Sequence, residues 1–354
     1  MGFGFVLFLG VFFFLLVQAV NKKLNNPGDS PFGGSTTDRT TQKEDDGFPP
    51  IEPSEPTKPQ WSWQPEPTQE AEEPVEAEQT FEPEPEEPET VIEPEPAKST
   101  YTVSADDLKY DRMFGLIGKP LGHSASKARF NKFFSENGMS AYYENYELES
   151  IEQLDSITSN PKLCGFNVTI PYKQDIIPYL TRLDETAQAI GAVNTVKVLH
   201  VDGKTELVGY NTDWIGFTVS FKELLEGHRK ALILGTGGVS QAVKYALEQL
   251  GLETRFVSRN STFDIMGYYE LSPSVMDDYD VIVNCTPLGM WPNVDQAPDI
   301  PYGFISDKHL LLDVIANPDE TLFMKKGREH GAQAKGGKEM LEQQAVAAWN
   351  IWNE

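Results

Sequence analysis

The sequence predicts an α/β fold built from two sheet-bearing halves. From about residue 113 onward, short apolar runs alternate with amphipathic stretches. Strands that alternate with helices form mostly parallel sheets covered on both faces. A glycine-rich turn, Gly235-Thr236-Gly237-Gly238, joins one apolar strand directly to a helix. The last stretch, 338–353, reads as a helix carrying Met340, Leu341, Val346 and Trp349.

Ahead of that fold the chain differs in kind. Residues 2–20 carry no charge and include the run Val11-Phe12-Phe13-Phe14-Leu15-Leu16-Val17. Such a stretch spans roughly 30 Å as a helix, the apolar thickness of a bilayer. Lys22 and Lys23 follow at once, so the positive-inside bias keeps the bulk of the chain in the cytoplasm. The expectation is a transmembrane anchor over 1–21 in the inner (cytoplasmic) membrane, single-pass, with the membrane as a partner. A signal peptide cleaved near Val17-Gln18-Ala19 is the rival; the absence of a basic n-region opposes it.

Residues 22–107 read as a disordered, acidic, proline-rich linker. Between 51 and 100 there are 15 acidic residues and 11 prolines against 2 lysines, about half of the whole chain's formal charge of −25. Such a segment cannot bury enough apolar surface to offset the entropy of ordering it. Trp61 and Trp63 stand out there, as an inert pair or a short docking motif.

The acidic balance repels polyphosphate and excludes nucleic acid as a partner. Cys164 and Cys285 are far apart and form no C-x-x-C pair, and the five histidines show no ligand spacing. Reduced thiols and no metal are the expectation.

Within the ordered part, 113–117 reads as a strand and 126–137 as a helix with Ser126 as its N-cap. Strands follow at 142–148 and 164–168, with a helical segment from Ile151 between them. Segments 195–201 and 205–208 flank Asp202-Gly203, a hairpin signal. An amphipathic helix covers 214–225. Strand 231–234, helix 240–250 and strand 254–257 make one βαβ unit. Apolar strands recur at 281–284 and 310–314.

The glycine turn lets the backbone approach a pyrophosphate, whose charge then rests on N–H groups at the helix start. Gly235, Gly237, Gly238 and Val239 are the candidate contacts in this Rossmann-type half. An NAD-selective fold places an acid at the end of the second strand. This chain has Ser258-Arg259-Asn260 there, and a guanidinium matches a 2′-phosphate. Arg259 with Ser258 therefore points to NADP (NADPH).

Four segments upstream suit a small hydroxylated carboxylate. Gly122-His123-Ser124-Ala125-Ser126 offers hydroxyls beside a helix start. Asn167-Val168-Thr169-Ile170-Pro171-Tyr172-Lys173 follows a strand. Gly191-Ala192-Val193-Asn194-Thr195 supplies an amide, and Tyr210-Asn211-Thr212-Asp213 a carboxylate. Each also has a bland reading: Asp213 as a helix cap, Lys173 as a surface lysine, the Ser and Asn as caps.

Taken in this order ahead of the glycine loop, the four segments resemble the shikimate dehydrogenase family over about residues 113–354. The resemblance continues through Asn284-Cys285-Thr286-Pro287-Leu288-Gly289-Met290 and Asn317-Pro318-Asp319-Glu320-Thr321. It closes with Gly337-Lys338-Glu339-Met340-Leu341-Glu342-Gln343-Gln344. It implies reversible reduction of 3-dehydroshikimate to shikimate by NADPH, in chorismate and aromatic amino-acid biosynthesis. It implies that Ser124 and Ser126 hold the substrate carboxylate. Thr169, Asn194, Asp213 and Gln344 then bind ring hydroxyls. Lys173 and Asp213 form the catalytic pair, with Lys173 as proton donor and electrostatic stabiliser. Gly289 and Met290 lie near the nicotinamide.

The implied domains are a substrate-binding domain over 108–212, completed by 331–354, and an NADP-binding domain over 213–330. A monomer or homodimer is expected. Two positions depart from the family pattern: Lys127 where proline is common after the second serine, and Ile315-Ala316 where a tyrosine often precedes the Asn-Pro segment. A quinate or broader shikimate-like dehydrogenase, and a tethered inactive binding module, are the alternatives.

Overall fold

The computed structural model describes residues 109–122 and 124–354. The anchor, the linker and the Trp61/Trp63 pair expected from the sequence lie outside the described residues. The expected inner-membrane location is corrected. Among the described residues no helix is long and apolar enough to cross a membrane. The longest, Lys338–Asn353, has 16 residues, short of the about 20 that a bilayer core requires.

The first sheet is laid down early in the chain. Strand β1 (Arg112–Gly118) leads through helix α1 (Ser126–Glu136) to β2 (Ala141–Glu147). A 3-10 turn and the short helix α2 (Asp155–Thr158) lead on to β3 (Leu163–Val168). Then come β4 (Arg182–Leu183), helix α3 (Glu185–Ile190), β5 (Thr195–Val201) and β6 (Lys204–Tyr210). The strand order is β2-β1-β3-β5-β6-β4. β1 pairs in parallel with β2 and β3, whereas β3 with β5 and β5 with β6 are antiparallel.

Side-chain alternation along β1 serves both faces of this sheet. Met113 and Ile117 enter one apolar cluster with Phe166 and Val196. Phe114 and Leu116 enter another with Phe130, Phe134 and Trp352. The period of two that marks a strand is thus spent on two cores. The β5–β6 hairpin turns on Asp202 and Gly203, with φ of 51° and 76°. That left-handed pair is the signature that an Asp-Gly turn supplies.

Helix α4 (Asp213–Phe221) opens the second half. β7 (Lys230–Leu234), helix α5 (Gly238–Gln249), β8 (Glu253–Ser258), β9 (Ile265–Gly267) and helix α6 (Pro273–Asp278) follow. β10 (Val281–Asn284), β11 (Leu310–Asp313), helix α7 (Leu322–Glu329), β12 (Gln333–Lys335) and helix α8 (Lys338–Asn353) complete the chain. All pairs in this sheet are parallel, in the order β12-β11-β10-β7-β8-β9. The order reverses between β7 and β10, which opens a crevice at the carboxyl ends of those strands. Ala231 and Ile233 pack on one face, Leu232 and Leu234 on the other. Burial on both faces explains why these strands read as unbroken apolar runs.

β12 belongs to this second sheet, although the sequence assigned everything from 331 to the first half. Only α8 crosses back. Its Met340 joins the second core, while Trp352 packs on Phe114 and donates from Nε1 to the Val196 carbonyl at 3.0 Å.

Candidate active site

Lys173 and Asp213 come from different parts of the chain and meet at the junction of the two halves. Lys173 sits in the turn after β3, where its carbonyl accepts from Val193 N at 2.7 Å. Asp213 is the first residue of α4. The Lys173 Nζ donates to Asp213 Oδ2 at 2.6 Å, with side chains 15% and 8% exposed. That enclosure rules out a solvated surface lysine. Thr212, not Asp213, occupies the N-cap position of α4, so the carboxylate is free to face Lys173.

A buried set of polar side chains holds Asp213 in place. Asn194 Nδ2 donates to Asp213 Oδ1 at 2.9 Å and to Thr212 Oγ1 at 3.0 Å. Asn194 Oδ1 accepts from Thr212 N at 2.6 Å and from Thr195 Oγ1 at 3.1 Å. Asn211 bridges the two halves of the turn: its Oδ1 accepts from Asp213 N at 3.0 Å and its Nδ2 donates to the Ala192 carbonyl at 2.9 Å. Gln344, on α8, completes the group, its Oε1 3.4 Å from Thr212 Oγ1 and 3.5 Å from Asn194 Nδ2. The motif Tyr210-Asn211-Thr212-Asp213 does not by itself show the roles of Asn211 and Thr212; the fold shows what their side chains touch.

Ser126 and Gln344 line one crevice, together with Arg129, Phe130, Leu341 and Ala345. Ser124 Oγ accepts from Ser126 N at 3.3 Å. The expected N-cap role of Ser126 is corrected: Ala125 is the cap residue and Ser126 lies inside α1. Its hydroxyl is thereby left for another partner. Thr169 lies just past β3, half-buried, with its methyl group against Gly118.

On the other side, the glycine turn follows β7. Gly235 has a φ of 102°, a conformation that favours glycine. Gly237 precedes α5, offers no side chain to cap it, and has open space where a Cβ would stand. Uncapped N–H groups beside open space suit a pyrophosphate. Ser258 and the exposed Arg259 stand at the end of β8, the ribose position in such a fold. The donor set therefore fits a dinucleotide bearing a 2′-phosphate. Gly289, with a φ of 97°, and Met290, 42% exposed, lie on the loop after β10.

That loop comes near Lys173 and Asp213. Burial pushes the Cys285 thiol well up, the charges of Asp313 and Asp213 push the same way, and Lys173 pulls it down.

Comparison with known proteins decides the family. Residues 116–196 match the model described as the shikimate dehydrogenase substrate binding domain. A shikimate dehydrogenase (NADP(+)) of Caldicellulosiruptor saccharolyticus is 34% identical over 256 residues, 67% of this chain and 90% of its own. This chain belongs to the shikimate dehydrogenase family. The shikimate dehydrogenase (NADP(+)) of Clostridium beijerinckii is 37% identical over 256 residues, covering 68% of this chain and 92% of its own. The crystal structure of the shikimate dehydrogenase of Aquifex aeolicus superposes with a TM-score of 0.60 at 34% identity. It covers 71% of this chain and 94% of the other. The α/β architecture with a substrate-binding and a Rossmann-like half is that of the shikimate dehydrogenases.

Proposed function

We propose that this chain reduces 3-dehydroshikimate to shikimate with NADPH, reversibly, as an oxidoreductase of the shikimate pathway. The observation that carries the reading is the Lys173–Asp213 pair, 2.6 Å apart, with Gly238 of the glycine turn against Lys173 and Gln344 beside the Asn194 and Thr212 side chains that hold Asp213. A family name alone would not supply a mechanism; an enclosed donor beside a carboxylate does.

When bound, the reduced nicotinamide supplies a hydride to the ring carbonyl carbon. Negative charge then develops on the carbonyl oxygen. Lys173 stabilises that oxygen and delivers a proton to it; in the oxidation direction it takes the proton back. Asp213 keeps the Lys173 amine aimed, and its second oxygen is fixed by Asn194. Ser124 and Ser126 bind the substrate carboxylate, while Thr169, Asp213 and Gln344 bind ring hydroxyls. The Asn194 amide is engaged within the chain on both sides. It therefore serves the substrate chiefly by placing Asp213.

Gly235, Gly237, Gly238 and Val239 hold the pyrophosphate, Ser258 and Arg259 the 2′-phosphate, and Gly289 and Met290 flank the nicotinamide. The test is a matrix of shikimate or quinate with NADP or NAD, read as reduced-nicotinamide absorbance. Turnover mainly with shikimate and NADP supports the reading. Turnover only with quinate, or with no pair at all from folded protein, refutes it.

A further inference from the structure

The mechanism leaves one buried carboxylate unused. β11 runs Leu310-Leu311-Leu312 and ends in Asp313, which is fully buried. A carboxylate in an apolar strand end is expensive to desolvate, so its partners carry the explanation. They are neutral donors from three places. Asn284 Nδ2, at the end of β10, donates to both carboxylate oxygens at 3.2 and 3.1 Å. Ile315 N donates at 3.0 Å and Thr321 Oγ1 at 2.7 Å.

Two of these partners, Asn284 and Thr321, also shape the chain beside the crevice. Asn284 Oδ1 accepts from Thr286 N at 3.0 Å and Thr286 Oγ1 at 2.7 Å, and Asn284 Nδ2 reaches the Leu288 carbonyl at 3.3 Å. This shapes the segment that carries Gly289 and Met290. Thr321 Oγ1 caps α7 by accepting from Met324 N at 3.4 Å. The two loops are also joined directly, Trp291 N donating to the Asn317 carbonyl at 3.1 Å. On the opposite side, the Thr286 methyl stands 3.3 Å from where a Cβ on Gly235 would be. One buried carboxylate thus links both loops beyond the point of strand reversal to the glycine turn.

We propose that Asp313 is a positioning residue for the cofactor: through Asn284 and Thr321 it fixes the Gly289–Met290 loop against the glycine turn. The inference rests on the NADP reading given above. It concerns the cofactor side; Gln344 lies on α8, whose start is tied to Ile315 by Gly337 N donating to the Ile315 carbonyl at 2.9 Å, so Thr286→Val, which leaves Ile315 and Asp313 in place, is the variant that separates the two sides.

The experiment titrates the full chain with NADPH and, separately, with shikimate, by protein fluorescence. It compares the unaltered chain with Asp313→Asn, Thr321→Val and Thr286→Val, each checked for cooperative unfolding. The expected result is NADPH binding weaker by about tenfold or more in each variant, the scale of a lost hydrogen bond to a charged group. Shikimate binding should stay within about twofold of the unaltered chain. Thr286→Val leaves Asp313 and its four bonds in place, so it decides the matter where Asp313→Asn fails to fold. Unchanged NADPH binding in all variants, or parallel loss of both ligands, overturns the proposal. No NADPH binding by the unaltered chain sinks the cofactor reading itself, and this inference with it.

Discussion

A methyl group on Gly238 would stand 2.8 Å from the Cβ of Lys173. The glycine turn and Lys173 are therefore in direct contact, with the Ala192 Cβ 3.5 Å from the same point. Gly238 opens the nucleotide helix, yet the atoms that demand glycine there include the substrate half. One residue sets the spacing between the two halves of the fold at this point.

Gly238→Ala should consequently damage the chemistry as well as cofactor binding. The clash is with a Cβ, which cannot swing aside as a side-chain tip can, so Lys173 must shift. A misplacement approaching 1 Å lowers kcat/KM by about tenfold to a hundredfold. Steady-state kinetics in both substrates measure it; unchanged kcat would show that the turn moves and the lysine does not.

Arg259 stands exposed at the end of β8. Its exposure makes it dispensable for folding and leaves it open to a phosphate. Arg259→Ser should lower the ratio of kcat/KM for NADP over NAD by about tenfold or more, since charge-assisted bonds to a phosphate are lost. The unfolding temperature should not change. A constant ratio would place the 2′-phosphate elsewhere.

Much of the fold was legible because the chain spells its buried strands plainly. The segments at 281–284 and 338–353 agree with β10 and α8 to the residue. The run at 231–234 is apolar throughout because β7 is buried on both faces. β4, β9 and β12 were missed because two or three residues show no period of their own. Their neighbours' backbone groups make them strands. Helices α3, α6 and α7 escaped for a related reason: each is at most 8 residues long.

The placement of the candidate site residues was legible where polar residues follow strand ends, as with Lys173 after β3 and Arg259 after β8. It was not legible where a role depends on pairing across the fold. Asn194, just before β5, meets Thr212 and Asp213, just after β6, at the open end of the hairpin. Asp313 meets Asn284 from 29 positions away. The sign of the second in the sequence is a carboxylate that ends the apolar run Leu310-Leu311-Leu312.

Asn211 is 2% exposed and satisfies both the Ala192 carbonyl and the Asp213 N–H. Asn211→Ala leaves two buried backbone groups without partners. It should destabilise the chain by about 1–3 kcal/mol and lower kcat more than it raises the KM for shikimate. Denaturant unfolding and kinetics together check this; a stable variant with normal kcat would remove Asn211 from the support of Asp213.

Asp313 makes stability depend on pH in an unusual direction. Burial pushes its carboxyl from the ordinary 3.8 up to about 6, against the bonds from Thr321, Ile315 and Asn284. Folding thus tightens its hold on a proton, so the ionised form opposes folding. That opposition is complete above about pH 6 and absent below about 3.8, and it amounts to about 3 kcal/mol. Of the titratable groups facing it, burial pushes both Cys285 and Tyr302 upward, so both stay neutral across the window. The unfolding free energy of the unaltered chain minus that of Asp313→Asn should fall by up to about 3 kcal/mol between pH 4 and 7. Other carboxylates cancel in the difference, and a flat difference would mean that Asp313 is ionised throughout.

The most direct test is Lys173→Met, which keeps most of the length and packing of the side chain and removes the ammonium group. Rates of 3-dehydroshikimate reduction would be measured at saturating NADPH, with shikimate binding followed separately. The kcat should fall by about a hundredfold to ten-thousandfold, the range for a lost general acid, while shikimate still binds. A kcat within a few-fold of the unaltered chain would contradict it and assign the proton to another group.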